Sequence, residues 1–355
     1  PGNPDIKWET TEQINIGLDI GLFKDQLSIN VEYFKKNTFD ILWAVPVSLS
    51  RGYGLDGQAG ASPVANVASL ENTGYEGGIV FREERGDFGY SIGANVSLLA
   101  NKITSFGSDQ EYLEAGFFRN AIDKPMSSFY GWVVDKVYAT QAEVNADNLA
   151  AQESGFDFYQ RNVTSAGDIR FKDLNGDGRV DNLDRTYIGN PIPNGIYNLN
   201  VNANFKKWSL GMNFNGAWGA QVINRSVPVS MSGISNYSTT VLDRWQIPGD
   251  ITNVPRAIQG DPADNNRIST RFVEDADFLR LQNVTLSYVF NPVKIAKEVR
   301  VFFTGQNLWF LSGYTGFDPE LAMGGGSPGN NLFLGTDNTI IPYPRTFLIG
   351  LNANF

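Results

Sequence analysis

Apolar and polar residues alternate with period two along much of this chain. Near its end Phe347, Ile349, Leu351, Ala353 and Phe355 share one side, and Thr346, Gly350, Asn352 and Asn354 the other, with Leu348 the exception. Ile14, Ile16, Leu18, Ile20 and Leu22 alternate in the same way with Asn15, Gly17, Asp19 and Gly21. The clearest case sets Tyr197, Leu199, Val201, Ala203 and Phe205 against Asn198, Asn200, Asn202 and Asn204. Period two means a β-strand with one apolar and one polar face. Strands are predicted over residues 8–22, 27–43, 72–83, 88–100, 195–205, 208–217, 278–290, 298–310 and 344–355.

The connections are unequal. The turns "FKDQ", "ERGD", "KK" and "NPVKIAKE" are short, and the connections over 44–70, 101–194, 217–276 and 311–343 are long. Short and long alternate, so all the long ones gather at one end. Short periplasmic turns opposite long outer loops, with strands apolar on one face, are the signature of an outer-membrane barrel. Phe23, Phe88, Phe205, Trp208, Phe290 and Trp309 sit near strand ends, where an interfacial girdle belongs. The expected class is all-β, a transmembrane antiparallel β-barrel. Single-chain bacterial barrels use even strand numbers. About nine strands therefore read as the C-terminal part of a larger barrel whose first strand here runs inward. Extended segments near 128–140 and 166–173 are candidates for two more.

Composition narrows the chemistry. No run of eighteen apolar residues exists, so no helical span is predicted. A mean hydropathy of -0.23 does not oppose a barrel, because alternating strands keep the average low. Asp and Glu number 38 against 28 Lys and Arg, a net charge of -10 that disfavours nucleic acid. With neither cysteine nor histidine, disulfides, thiolate and zinc-histidine sites and histidine-based triads are excluded. Paired carboxylates are the main enzymatic route left. Glu83 and Glu84 are adjacent and point to opposite faces of a strand, so they make no such pair, and no enzyme activity is expected.

Five segments, in order, are recognisable: "NPDIKWETTEQINIGLDIGLFKDQLSINVEYFKKNTFDIL", "NVASLENTGYEGGI", "DLNGDGRVDNLDRTYIGNPIP", "FLRLQNVTLSYVF" and "GQNLWFLSGYTGFDPE". Together they resemble the barrel of SusC/RagA-type TonB-linked outer-membrane transporters of Bacteroidota, across essentially the whole chain. The resemblance implies a plugged barrel of about 22 strands. It implies an outer-membrane location, a SusD-like surface lipoprotein as lid, paired units of the two as a dimer, and energy from TonB. Plug and TonB box are expected upstream of this sequence. The cargo implied is an oligosaccharide, or alternatively a peptide. Phe355 resembles the terminal aromatic read by the barrel assembly machinery. A non-transporting barrel serving as surface adhesin or scaffold is the alternative, and a soluble β-rich carbohydrate-binding domain a third.

One motif carries metal chemistry. In "DLNGDGRVDNLD", within the long connection 101–194, Asp173, Asn175 and Asp177 offer oxygens at loop positions 1, 3 and 5, and Gly178 follows for the sharp turn. Arg179 would add its carbonyl at position 7, Asp181 stands at 9 and Asp184 at 12. This is a calcium-type spacing, 173–184, with Asp in place of the EF-hand Glu and no flanking helix pattern, more like a dockerin loop. The competing reading is an Asx-rich turn without an ion. "GYGLDG" (52–57) matches a dinucleotide fingerprint but lacks the strand-to-helix context that gives it meaning. "MGGGSPGNN" (323–331) reads as a mobile loop, with plain flexibility favoured over substrate contact. Tyr53, Tyr130, Trp132 and Tyr237 are candidates for sugar stacking, with loop packing or contact with a lid protein the favoured role. The Asn198–Asn204 row lines a wetted lumen wall in the barrel reading.

Overall fold

The computed structural model describes residues 6–44, 64–106, 111–226, 239–290, 296–324 and 333–355. Nine strands form one sheet: β1 (Thr10–Leu22), β2 (Leu27–Ala44), β3 (Val64–Arg85), β4 (Phe88–Phe106), β5 (Gly195–Phe205), β6 (Trp208–Trp218), β7 (Phe278–Phe290), β8 (Glu298–Ser312) and β9 (Thr346–Asn354). Each pairs antiparallel with its neighbours in chain order, so the sheet is an up-and-down wall. The nine expected strands are the nine observed.

Register turns the alternation of each strand into faces of the whole sheet. One row reads Leu22, Leu27, Phe81, Ile92, Val201, Met212, Val284, Gly305 and Phe347 across all nine strands. The opposite face carries Asp19, Asn30, Gly78, Asn95, Asn198 and Asn215 in a single row. A one-residue slip in any strand would reverse its faces, so burial of one face fixes register. The apolar face is open, with Ile16 at 67%, Leu18 at 61% and Ile349 at 80% exposure. A water-soluble sheet would bury such a face. On the polar face, Gly350 lies beneath the Phe302 ring, where a Cβ would overlap it.

The aromatic belt closes the turn end. Phe88, Phe205, Trp208 and Tyr288 are neighbours in register. Trp208 and Tyr288 rings lie 4.8 Å apart, as do Tyr288 and Phe290. The turns at this end are tight. Gly86 has φ +58° between β3 and β4, and Lys206 adopts φ +54° between β5 and β6, which a two-residue hairpin turn demands even without glycine. Most of "NPVKIAKE" lies outside the described residues.

The other end was only partly foreseen. β3 runs for 22 residues, where 9–11 suffice to cross a bilayer. Its outer half buries Ala68 with Trp43 and Leu113. The strand β4 also continues to Phe106, into the stretch assigned to a loop. Between β4 and β5 the chain folds into a body of its own. Strands Tyr112–Ala115, Phe118–Ala121, Phe129–Gly131 and Thr186–Gly189 form one small sheet, and Val134–Val137 pairs with Ile169–Phe171 in another. The two candidate extra strands are therefore loop strands, not wall. They are too short, at three or four residues, to span anything. A helix, α1 (Gln141–Glu153), was not expected. Its apolar pattern is weak, and only Val144 and Ala151 are buried, so tertiary packing rather than amphipathicity holds it.

Candidate functional site

At the loop end three long connections hold one another. Asp168, fully buried in the β4–β5 body, receives Arg256 from the β6–β7 connection through Nε at 2.7 Å and Nη2 at 2.9 Å. Asn265 of the same connection donates to it at 2.9 Å, and the Ser165 N–H at 2.8 Å. Gly167 (φ +85°) lets the chain pass beneath the Trp245 ring, where no Cβ fits. The β8–β9 connection is tied to the wall itself. Arg280, on the polar face of β7, meets Asp318 at 2.7 Å with both side chains about 95% buried, and Glu320 at 3.4 Å. Burial pushes the Glu320 carboxyl up, Arg280 opposes this, and Asp318 adds to it.

Charge and aromatic rings also knit the body internally. Burial raises the Tyr138 phenol, and its hydroxyl donates to Asp147, raising it further. Burial acts to raise Asp147 as well, but Arg170 and Tyr138 outweigh it and hold the carboxyl below its ordinary value. Tyr130 and Trp132, candidates for sugar stacking, are used here instead. Arg119 lies 3.4 Å over the Tyr130 ring, and the Trp132 indole N–H donates to the Asp181 carbonyl at 2.9 Å. Tyr53 and Tyr237 lie outside the described residues, as do the 52–57 glycine motif and most of 323–331.

The 173–184 loop is a ring of backbone N–H groups held by side-chain oxygens. Asp173 accepts from Gly176 at 2.6 Å and from Gly178 at 2.8 Å. Asn175 accepts from the Asp177 N–H at 2.8 Å, and Asp177 from the Arg179 N–H at 3.0 Å. Asp181 accepts from Leu183 at 2.7 Å and pairs with the Arg179 guanidinium at 2.7 Å. Asp184 is fully buried and staples both ends, accepting from Leu174 at 2.8 Å and from Asp181 at 2.7 Å. Gly176 and Gly178 take φ +74° and +98°, which the turn requires. Among the described residues no three acidic side chains converge in a metal-sized cluster. The oxygens of Asp173, Asn175 and Asp177 each retain a further lone pair.

The polar wall extends this end inward. Asn213 donates to Asn200 at 2.6 Å, and Asn200 to Asn198 at 2.5 Å. This directional chain leaves the side-chain oxygen of Asn213 buried without a partner, and the buried side-chain oxygen of Asn215 likewise has none. Sequence reading found the row on β5 but missed Asn95, Asn215 and Arg280, which only register brings beside it. The one available signal was Arg280 itself, a charge inside the apolar run "FLRLQNV". Phe355 follows the last strand and is 74% exposed.

Comparison with known proteins agrees with this architecture. Residues 1–308 match the TonB dependent receptor-like, beta-barrel family. TonB-dependent receptor P3 of Formosa agariphila is 28% identical over 99% of this chain and 35% of its own length. TonB-dependent receptor SusC of Bacteroides thetaiotaomicron is 26% identical over 99% of this chain and 32% of its own. The structure of the RagAB peptide transporter superimposes with a TM-score of 0.78 at 23% identity, covering all of this chain and 36% of that one. The chain thus spans about a third of the length of the relatives it matches. These relatives are receptors and not enzymes. The open apolar face is accordingly a lipid face and the polar face a lumen wall, as outer-membrane barrels require. This chain belongs to the TonB-dependent receptor-like β-barrel family of the outer membrane.

Proposed function

We propose that this chain supplies the C-terminal wall and outer loops of a TonB-dependent importer for a bulky nutrient, an oligosaccharide or a peptide. The observation that carries this reading is the two-faced wall beneath a cross-braced loop body. Lipid-facing rows span all nine strands, and buried ion pairs fix the loops over the polar face. Such loops form a rigid rim on which a lid can close. The proposal extends to partners, a SusD-like lipoprotein as lid, in paired units, and TonB acting through a plug; the likeness to TonB-dependent receptor SusC and to the RagAB peptide transporter supports it. The wall does not move in this scheme. It gives the plug a surface to slide against and the cargo a wetted path.

Two further roles belong to the proposal. Calcium would brace the 173–184 loop, drawing Asp173, Asn175, Asp177 and Asp184 inward at about 2.3–2.6 Å, with the Arg179 carbonyl and Asp181. That inward shift is compatible with the free lone pairs on the first three. Phe355 would serve in barrel assembly. The function is tested by uptake of labelled oligosaccharides and peptides in cells carrying the full-length protein, with and without TonB. Uptake of one class should collapse without TonB. Equal uptake in both strains, or none of either class, would overturn the import reading.

A further inference from the structure

A cavity of about 510 Å³ lies at the outer end of the polar wall, between strands β4 to β6 and the connections above them. Its floor is the cross-strand row Asn95, Asn198 and Asn215. Its walls are mostly aliphatic, from Ile192, Pro193, Ile196, Met323 and Leu334, with the rings of Tyr197 and Phe278 among them. Glu320 stands at the rim. Two features are unusual for a lumen. Ile196 points to the polar face with 44% of its surface open, on a strand whose other polar-face residues are asparagines. The Asn215 side-chain oxygen is buried without a donor, which costs about 1–3 kcal/mol if nothing reaches it. An apolar group and an N–H or O–H donor would satisfy both.

We propose that this cavity is a subsite for peptide cargo, taking one apolar side chain against Ile196, Met323 and Leu334 while a flanking peptide bond meets the asparagine row. The assignment rests on the import reading and selects between its two cargo classes. A peptide alternates apolar side chains with amides, and an amide N–H is the donor that the Asn215 oxygen lacks. An oligosaccharide carries hydroxyls around each ring. Several of them would be pressed against aliphatic walls with no partner, each at a similar cost. Two rings line the cavity, but neither offers an open face for a sugar to stack on: Phe278 is buried, and Tyr197 packs against the Trp218 ring with its hydroxyl on the Phe278 carbonyl. The carboxyl of Glu320 disfavours an acidic side chain at the rim.

The test uses the full-length protein with its lipoprotein partner and three defined probes. These are ten-residue peptides with a central leucine, the same peptides with a central aspartate, and dextran-derived oligosaccharides of similar mass. Leucine peptides should bind at least about tenfold more tightly than aspartate peptides, a difference of about 1.4 kcal/mol. Ile196→Trp fills the cavity and should weaken leucine peptides by a similar factor, and Asn215→Leu by about three- to tenfold. Leu334→Trp fills the same space from the loop side, should Ile196→Trp fail to assemble. Heat-modifiable migration identifies assembled variants. Oligosaccharide binding that falls with the same substitutions would overturn the inference. So would peptide binding that ignores them, which would mean another part of the polypeptide fills the cavity. Absence of binding by any probe overturns it too. TonB-dependent growth on oligosaccharide alone would sink the subsite and leave import standing.

Discussion

The wall and the loop body solve the same problem, ordering a chain around polar backbone, by opposite means. In the wall every strand pairs with its neighbour in sequence, and side chains need only alternate. Lipid, not a protein core, covers the apolar face. Hydrophobic residues there remain open across the whole sheet. In the loop body the contacts are distant in sequence and specific. Asp168 meets Arg256 88 residues away, and the Tyr159 hydroxyl, the Ile169–Phe171 strand and α1 close a small core around Ala151. The wall tolerates changes that keep the alternation. The body depends on a few buried charges whose partners cannot be guessed locally. Breaking a buried pair by removing one member leaves an uncompensated charge, which is why such contacts are costly to lose.

The difference can be broken deliberately, beginning with the largest effect. Asp168→Ala strips Arg256, Asn265 and the Ser165 N–H of their shared acceptor and should cost the loop body about 3–5 kcal/mol. Limited proteolysis between residues 112 and 189 should accelerate while heat-modifiable barrel migration stays normal. Loss of the barrel itself would show that the two regions fold as one unit. Next, Val201→Arg places a charge in the middle of the lipid face and should cost about 2–4 kcal/mol, read as impaired assembly. Asn202→Arg, one residue on and facing the lumen, should assemble. Equal impairment would reject the register.

Acid provides a finer probe of the body. Asp147 is held below its ordinary value of about 3.9 by Arg170 and Tyr138, against the upward push of burial. A depressed carboxyl contributes stability that is fully present above its unfolded value and lost as pH falls through the lower folded one. Protection from hydrogen exchange in α1 and in Ile169–Phe171, taken relative to the intrinsic rate at each pH, should therefore hold steady from pH 7 to about 4 and fall below it. Asp147→Asn should already exchange faster at pH 7 and lose much of the acid response. A wild-type curve flat through this window would remove Asp147 from the account. The smallest effect concerns the 173–184 loop. Chelator should raise proteolysis between about 165 and 190 without touching the wall, whose ladder is internal. Unchanged cleavage in saturating calcium after Asp173→Ala with Asp177→Ala would end the bracing role.

The wall was legible because its code is local. Leu199, Val201 and Ala203 against Asn198, Asn200 and Asn202 already state a strand, its faces and its extent, and β5 begins and ends where the alternation does. Strand ends beyond the membrane were less so. The outer half of β3 breaks alternation because Ala68 packs against Trp43 and Leu113 rather than lipid. In the 173–184 loop the spacing picked out Asp173, Asn175 and Asp177, whose oxygens accept the N–H groups of the turn. It gave no hint that Asp184 is buried as a staple between Leu174 and Asp181. Helix α1 escaped because only two of its residues are buried and its pattern carries almost no signal.

The sequence by itself determined a transmembrane wall, its two faces and the end at which the loops lie. Side-chain direction along a strand follows from covalent geometry alone, and lipid on one side with water on the other needs no knowledge of distant residues. Only the tertiary structure decided that Arg280 meets Asp318, that Arg256 meets Asp168, and that Asn95, Asn198 and Asn215 form one row. Those pairings depend on strand register and on how long connections fold back over the lumen. Both are set by many weak contacts between segments far apart in the chain, and no local pattern records them.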